Sequence, residues 1–139
     1  MNTKKNIPLK IVLVLGGLYI IGSGLNIALG GIATMGWGSQ HGFVSATNVH
    51  DYLIQDSHVR FVGGVWTGIG LFVLYSISDL ARYRPYLFLC CALIFFGGLC
   101  RLSEGRPDVT FSSPILYSFC AELIGVPLLC WWLYRSLAK

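Results

Sequence analysis

The chain has 139 residues, 55% of them hydrophobic and only 12% charged, with a net charge of +4 and a mean hydropathy of +0.67. A soluble domain carries roughly a quarter charged residues, so this composition excludes a water-borne globule and points to an integral membrane protein of one domain. The basic residues stand at the ends of apolar runs and do not gather on one polar face, which argues against a nucleic-acid partner.

In chain order, Lys4, Lys5 and Lys10 precede an apolar stretch from Ile11 to Ala33. That stretch is longer than the roughly 7–15 residues of a cleavable leader, so a retained first span is predicted over about 9–33. A long loop over about 34–58 follows, with VHDYLIQDSH inside it as a candidate short interfacial helix acting as a lid. A second span is predicted over about 59–78 (VRFVGGVWTGIGLFVLYSIS), a short third over about 86–102 (YLFLCCALIFFGGLCRL) and a fourth over about 114–134 (PILYSFCAELIGVPLLCWWLY). Pro85 and Pro114 suit first helical turns, where a missing N–H costs nothing, and Ser113 suits a cap.

Lys4, Lys5, Lys10, Arg82, Arg84, Arg135 and Lys139 fall on one side of this arrangement, which the positive-inside rule makes cytoplasmic. Both termini are therefore expected inside, with the loops at about 34–58 and 103–113 outside. Trp131, Trp132, Tyr134, Tyr83 and Tyr86 would form an inner aromatic belt, and Trp37 an outer anchor. The predicted fold is an all-α, integral membrane four-helix bundle.

Four polar residues lie inside the spans, namely Asn26, Arg60, Arg101 and Glu122, and this topology puts all four in the outer half of the membrane. Each shares a helix face with small residues: Gly22, Ser23 and Gly30; Gly63 and Gly64; Gly97 and Gly98; Ser118 and Gly125. Small residues mark close helix contacts in membranes, so the four are expected to converge inside the protein. Side chains lean toward their helix N-terminus, so Arg101 leans into the membrane and Glu122 leans outward to meet it. Glu122 is predicted to pair with Arg101, with Arg60 as second choice and Asn26 completing the network. Pro127, one turn further on, is expected to kink the fourth span.

The plainest reading of the cluster is a structural staple; a pocket for an anionic headgroup comes next, because guanidinium binds such groups bidentately. Catalysis ranks last, since no nucleophile–base pair stands at membrane depth, although Cys120 and Tyr117 lie near Glu122. His41, His50 and His58, with Asp51 and Asp56, are weak metal candidates whose spacings match no signature, so no metal and no cofactor is assigned. The five cysteines read as small apolar filler. Gly64 and Gly68 form a GxxxG, expected to pack the chain's own helices, with dimerisation as the alternative.

Arg60-Phe61, then GGLCRL (Gly97 to Leu102) with Gly105 and Pro107, then ELIGVP (Glu122 to Pro127) resemble a family known only as domain of unknown function 4345. The resemblance covers about residues 58–134. It implies a small bacterial four-span protein of the inner membrane and implies no established activity, substrate or cofactor. The expected function is a non-enzymatic envelope accessory factor that binds or helps move an anionic amphiphile, with membrane lipid as partner. A solute-transporter subunit and a membrane-embedded enzyme are the alternatives, and a second copy or another membrane protein is a candidate partner.

Overall fold

The computed structural model describes residues 6–34 and 48–137. Among these residues there is no strand, and the all-α class expected from the sequence holds. Four helical stretches are long and apolar enough to cross a membrane: Ile7–Thr34, Val49–Ser76, Leu80–Ser103 and Ile115–Ser136. The shortest has 22 residues, about 33 Å at 1.5 Å per residue, against a hydrocarbon core of about 30 Å. Large apolar side chains such as Leu15, Leu29, Phe61 and Leu128 are exposed along these helices. Such a surface would aggregate in water; against acyl chains it is the ordinary outer face.

Helix α1 (Ile7–Gly30) runs into a 3-10 turn (Gly31–Thr34). Helix α2 (Val49–Ser76) is continuous for 28 residues. The segment VHDYLIQDSH is therefore the first part of α2 and not a separate interfacial helix. No Gly or Pro separates it from Arg60, so nothing breaks the ladder. Asn48 starts α2 through its Oδ1, which accepts from His50 N at 3.0 Å and Asp51 N at 3.4 Å.

Helix α3 (Leu80–Cys100) begins earlier than predicted, because Asp79 caps it: its Oδ1 accepts from Arg82 N at 3.1 Å. Pro85 thus lies inside the helix and not in its first turn. A 3-10 turn (Arg101–Glu104), a short α4 (Pro107–Thr110) and α5 (Ser113–Cys120) follow. The fourth span then changes ladder: Ala121–Gly125 forms a π-helical turn before α6 (Val126–Leu137).

The chain divides into two compact units, one of Val12–Tyr75, the other of the residues up to Ile11 with those from Ser76 onward. In the second, α3 packs on α6 and on the π turn, with Leu80, Leu87, Leu133 and Phe119 buried.

In the Val12–Tyr75 unit, α1 and α2 run antiparallel over glycines seven residues apart, Gly17 and Gly24 facing Gly70 and Gly63. A Cβ on Gly24 would lie 2.6 Å from Thr67 N and 3.0 Å from Gly63 O, and one on Gly70 would lie 2.9 Å from Gly17 O. Backbone therefore touches backbone, which is the source of packing energy where lipid removes the hydrophobic drive between helices. A seven-residue repeat keeps one face in contact along the pair.

The GxxxG residues Gly64 and Gly68 lie off this face, and a Cβ on either would meet nothing within 4 Å. Among the described residues, the close approach of α1 and α2 runs through Gly63 and Gly70 and not through Gly64 and Gly68.

Gly24→Leu is expected to overpack this seam and lower stability by about 1–3 kcal/mol. Gly64→Ala should stay within about 0.5 kcal/mol of the parent. Thermal unfolding of both variants in the same detergent checks this.

Candidate functional site: two carboxylates and their arginines

In the unit formed by α3 to α6, Arg101 is the first residue after α3 and Glu122 lies in the π turn. Arg101 Nε donates to Glu122 Oε2 at 2.7 Å, and Nη2 donates to Oε1 at 2.8 Å. Two parallel charge-assisted bonds are the strongest form this pair can take. Gly98 makes the approach fit: a Cβ there would stand 2.9 Å from Glu122 Cβ and 2.9 Å from Leu123 Cδ2. Gly97 and Gly125, expected on the same faces, border open space instead.

The π turn has Val126 N–H bonded to the carbonyl of Ala121, one residue further back than in an α-helix. Such bulges turn side chains away from their α-helical direction and recur at functional sites. Pro127 follows as the second residue of α6 and has no N–H to give the Leu123 carbonyl. The departure from the α ladder thus comes just before Pro127 and includes Glu122. Buried Thr110 donates its Oγ1 to the Arg101 carbonyl at 3.5 Å, and Phe111 meets Phe119 edge-on at 5.6 Å beside it. On the connecting turn, the Arg106 guanidinium holds the Asp108 carboxyl below the usual carboxylate range.

In the α1–α2 unit, Arg60 has its own acid. Its Nε donates to Asp56 Oδ2 at 2.6 Å, one helical turn back on α2. Its Nη1 reaches the carbonyls of Leu29 and, at 3.5 Å, Ala28. These are among the last four carbonyls of α1, which have no partner within their own helix. A cation there also matches the negative end of the helix dipole.

Asp56 Oδ1 accepts from Ile32 N at 2.8 Å. Gly31, between α1 and that bond, has φ +66°, and a Cβ on it would collide with the Asp56 carboxylate. Only glycine meets both demands. The pair Gly31 and Asp56 continues the register of Gly24 with Gly63, so the carboxylate is the third contact of the same seam.

Asn26 works at the same helix end. Its Nδ2 donates to the Thr34 carbonyl at 3.3 Å, and Thr34 Oγ1 donates to the Asn26 carbonyl at 3.0 Å and to the Gly31 carbonyl at 2.8 Å.

Of the four polar residues singled out in the sequence, Arg101 and Glu122 are brought together. Arg60 meets Asp56 and the end of α1, and Asn26 meets Thr34. Asp56, which the sequence groups with the histidines as a weak metal candidate, is instead an ion-pair partner; its four-residue spacing from Arg60 is the signal that identifies that role. His50 and His58 are exposed on α2, and His41 lies outside the described residues. Among the described residues, no three His, Cys, Asp or Glu side chains gather to hold a metal ion.

A family model described as Domain of unknown function (DUF4345) matches residues 8–133. The chain belongs to this DUF4345 family. The match reaches back through α1. No curated protein and no solved structure shows a match to the chain. Membership together with four spanning-length helices makes this a multi-pass membrane protein of the DUF4345 family.

Removing one partner of the Arg101–Glu122 pair should cost more than removing both. Glu122→Gln, Arg101→Gln and the double variant, unfolded thermally in detergent, should give a coupling of about 0.5–3 kcal/mol. Zero coupling would mean that the two charges do not depend on each other.

Asp56→Asn keeps an acceptor for Ile32 N, whereas Asp56→Ala leaves that N–H and the Arg60 Nε without one. The alanine variant should therefore lose about 1–3 kcal/mol more than the asparagine variant in the same assay.

Proposed function

We propose that this chain is a non-enzymatic accessory protein of the bacterial inner membrane. It binds, or helps move, an anionic amphiphile at the periplasmic leaflet, and Arg101 is the contact. The observation that carries this reading is the lopsided exposure of the pair: the Arg101 side chain is 38% exposed and that of Glu122 15%.

The acid is covered and the cation is open. Glu122 occupies Nε and Nη2 and takes no part in the Nη1 side of the guanidinium. A phosphate or carboxylate headgroup is the group such a planar donor face recognises. The π turn adds support, because Glu122 sits on a stretch of ladder with weaker geometry than an α-helix. A carboxylate held there can yield part of the guanidinium to a competing anion. The Arg60 pair shares the exposure pattern, at 42% against 12% for Asp56, but Arg60 already serves the carbonyls of α1. Arg101 is therefore the better receptor.

Lipids that remain with the protein purified from bacterial membranes in mild detergent, measured by mass spectrometry, test the reading. The parent protein should retain anionic lipid above its share in the membrane. Arg101→Gln should cut that enrichment about tenfold, the loss of one charge-assisted contact. Glu122→Gln should raise it, because a competing anion is gone. Equal losses in both variants, or no enrichment in the parent, would leave the pair as a staple and end the proposal.

A further inference from the structure

One close contact sets the register of the seam between α3 and α6. A Cβ on Gly98 would stand 2.9 Å from Leu123 Cδ2. The two helices run in opposite directions, so seven residues back along α3 faces seven residues on along α6. That step joins Cys91 to Cys130. The order holds further along, where Arg84 Cζ lies 5.3 Å from the centroid of the Tyr134 ring. Leu87 and Leu133, both buried, belong to the stretch between that contact and the cysteines. The thiols of Cys91 and Cys130 are within hydrogen-bond reach of each other, and Cys91 is buried.

Two sulfurs from facing helices, with no third His, Cys, Asp or Glu gathered among the described residues, suit few metals. Zinc takes four ligands, and so do iron–sulfur clusters. Calcium and magnesium take oxygen. Monovalent copper is soft, prefers thiolate sulfur, and completes its shell with two sulfurs on a line. Cys90 does not enlarge the set, because one residue along an α-helix turns a side chain by about 100°. Charge also fits. Net charge is costly inside a membrane, but a bound metal takes the proton off a coordinating thiol. With one thiolate and one intact thiol, the monovalent ion is neutralised and one proton leaves per ion.

We propose that Cys91 and Cys130 form a two-coordinate site for monovalent copper, bridging α3 and α6 in the middle of the third and fourth spans. The site lies ten residues from Arg101 along α3 and does not rest on the function proposed for that residue. Packing of α3 on α6 holds the two sulfurs together before the ion arrives, so binding does not have to order either helix. The bound ion ties the two helices across their seam.

The test is a titration of the full chain, purified in detergent and kept reduced without oxygen, with Cu(I) in competition with the chromogenic chelator bicinchoninate. The parent should take one ion per chain from the chelator. Losing an outer-shell partner of a metal costs about 10–100-fold in affinity. Losing a ligand costs at least the upper figure, so Cys91→Ser and Cys130→Ser should each bind at least about 100-fold more weakly. Cys100→Ser, exposed at the end of α3, should bind as the parent does. So should Arg101→Gln, which separates this site from the one proposed above.

X-ray absorption at the copper edge of the loaded parent supplies a readout independent of how the variants fold. It should show a first shell of two sulfur atoms. Copper left with the chelator, an unchanged affinity in either Cys91→Ser or Cys130→Ser, or a first shell of nitrogen and oxygen would each overturn the proposal.

Discussion

A carboxylate cannot stand alone among acyl chains. At the centre of a bilayer a lone charge costs about 2.5–3.5 kcal/mol on insertion scales, and a fourth span carrying Glu122 has to meet that cost. The pairing with Arg101 does so, and much of the local structure follows from it. Gly98 is glycine because Glu122 Cβ occupies the space a side chain would need. The fourth span widens into a π turn at the same residues. Arg101 sits on a 3-10 turn whose carbonyl Thr110 holds from the connecting segment. The glycine, both irregular turns and the threonine therefore serve one ion pair.

The α1–α2 unit meets a different polar demand with the same residue types. There the difficulty is backbone, since helix-terminal carbonyls have no water to bond within a membrane. Arg60 reaches across to the end of α1, Asp56 neutralises Arg60 and takes the N–H of Ile32, and Gly31 turns the chain to allow both. Asn26 and Thr34 close the remaining gap. The need to finish α1 accounts for these contacts of Arg60.

The spans were legible because an unbroken run of about 20 apolar residues fits little besides a bilayer crossing. The Arg101–Glu122 pair was legible because intramembrane charges are rare and side-chain lean has a known direction. Asp56 was not legible as the partner of Arg60. The polar stretch around it has the composition of a loop, and a four-residue spacing only means something on a helix. The helix seam was hidden for a similar reason. Gly64 and Gly68 fit a familiar four-residue pattern, while Gly17, Gly24, Gly63 and Gly70 repeat at seven. Two long helices in contact over several turns need the longer repeat, because a four-residue spacing drifts off one face of a 3.6-residue helix sooner. The start of α3 shows Asp79 outweighing Pro85; a capped first turn can precede a proline when the residues between are helix formers such as Leu80, Ala81 and Arg82.

The third span then reads as a rod fixed at both ends. Arg84 near its start is held by aromatic rings, and Arg101 at its finish is held by a carboxylate. Seventeen residues separate them, about 26 Å along the axis, which is close to the thickness of the hydrocarbon core. Long basic side chains at such positions reach for the interfaces and set the depth of a helix that is apolar all round and has no face of its own to orient it. The two anchors differ in kind: aromatic rings flank the guanidinium of Arg84, and a carboxylate takes two donors of Arg101. Either device serves to fix the depth of a helix end.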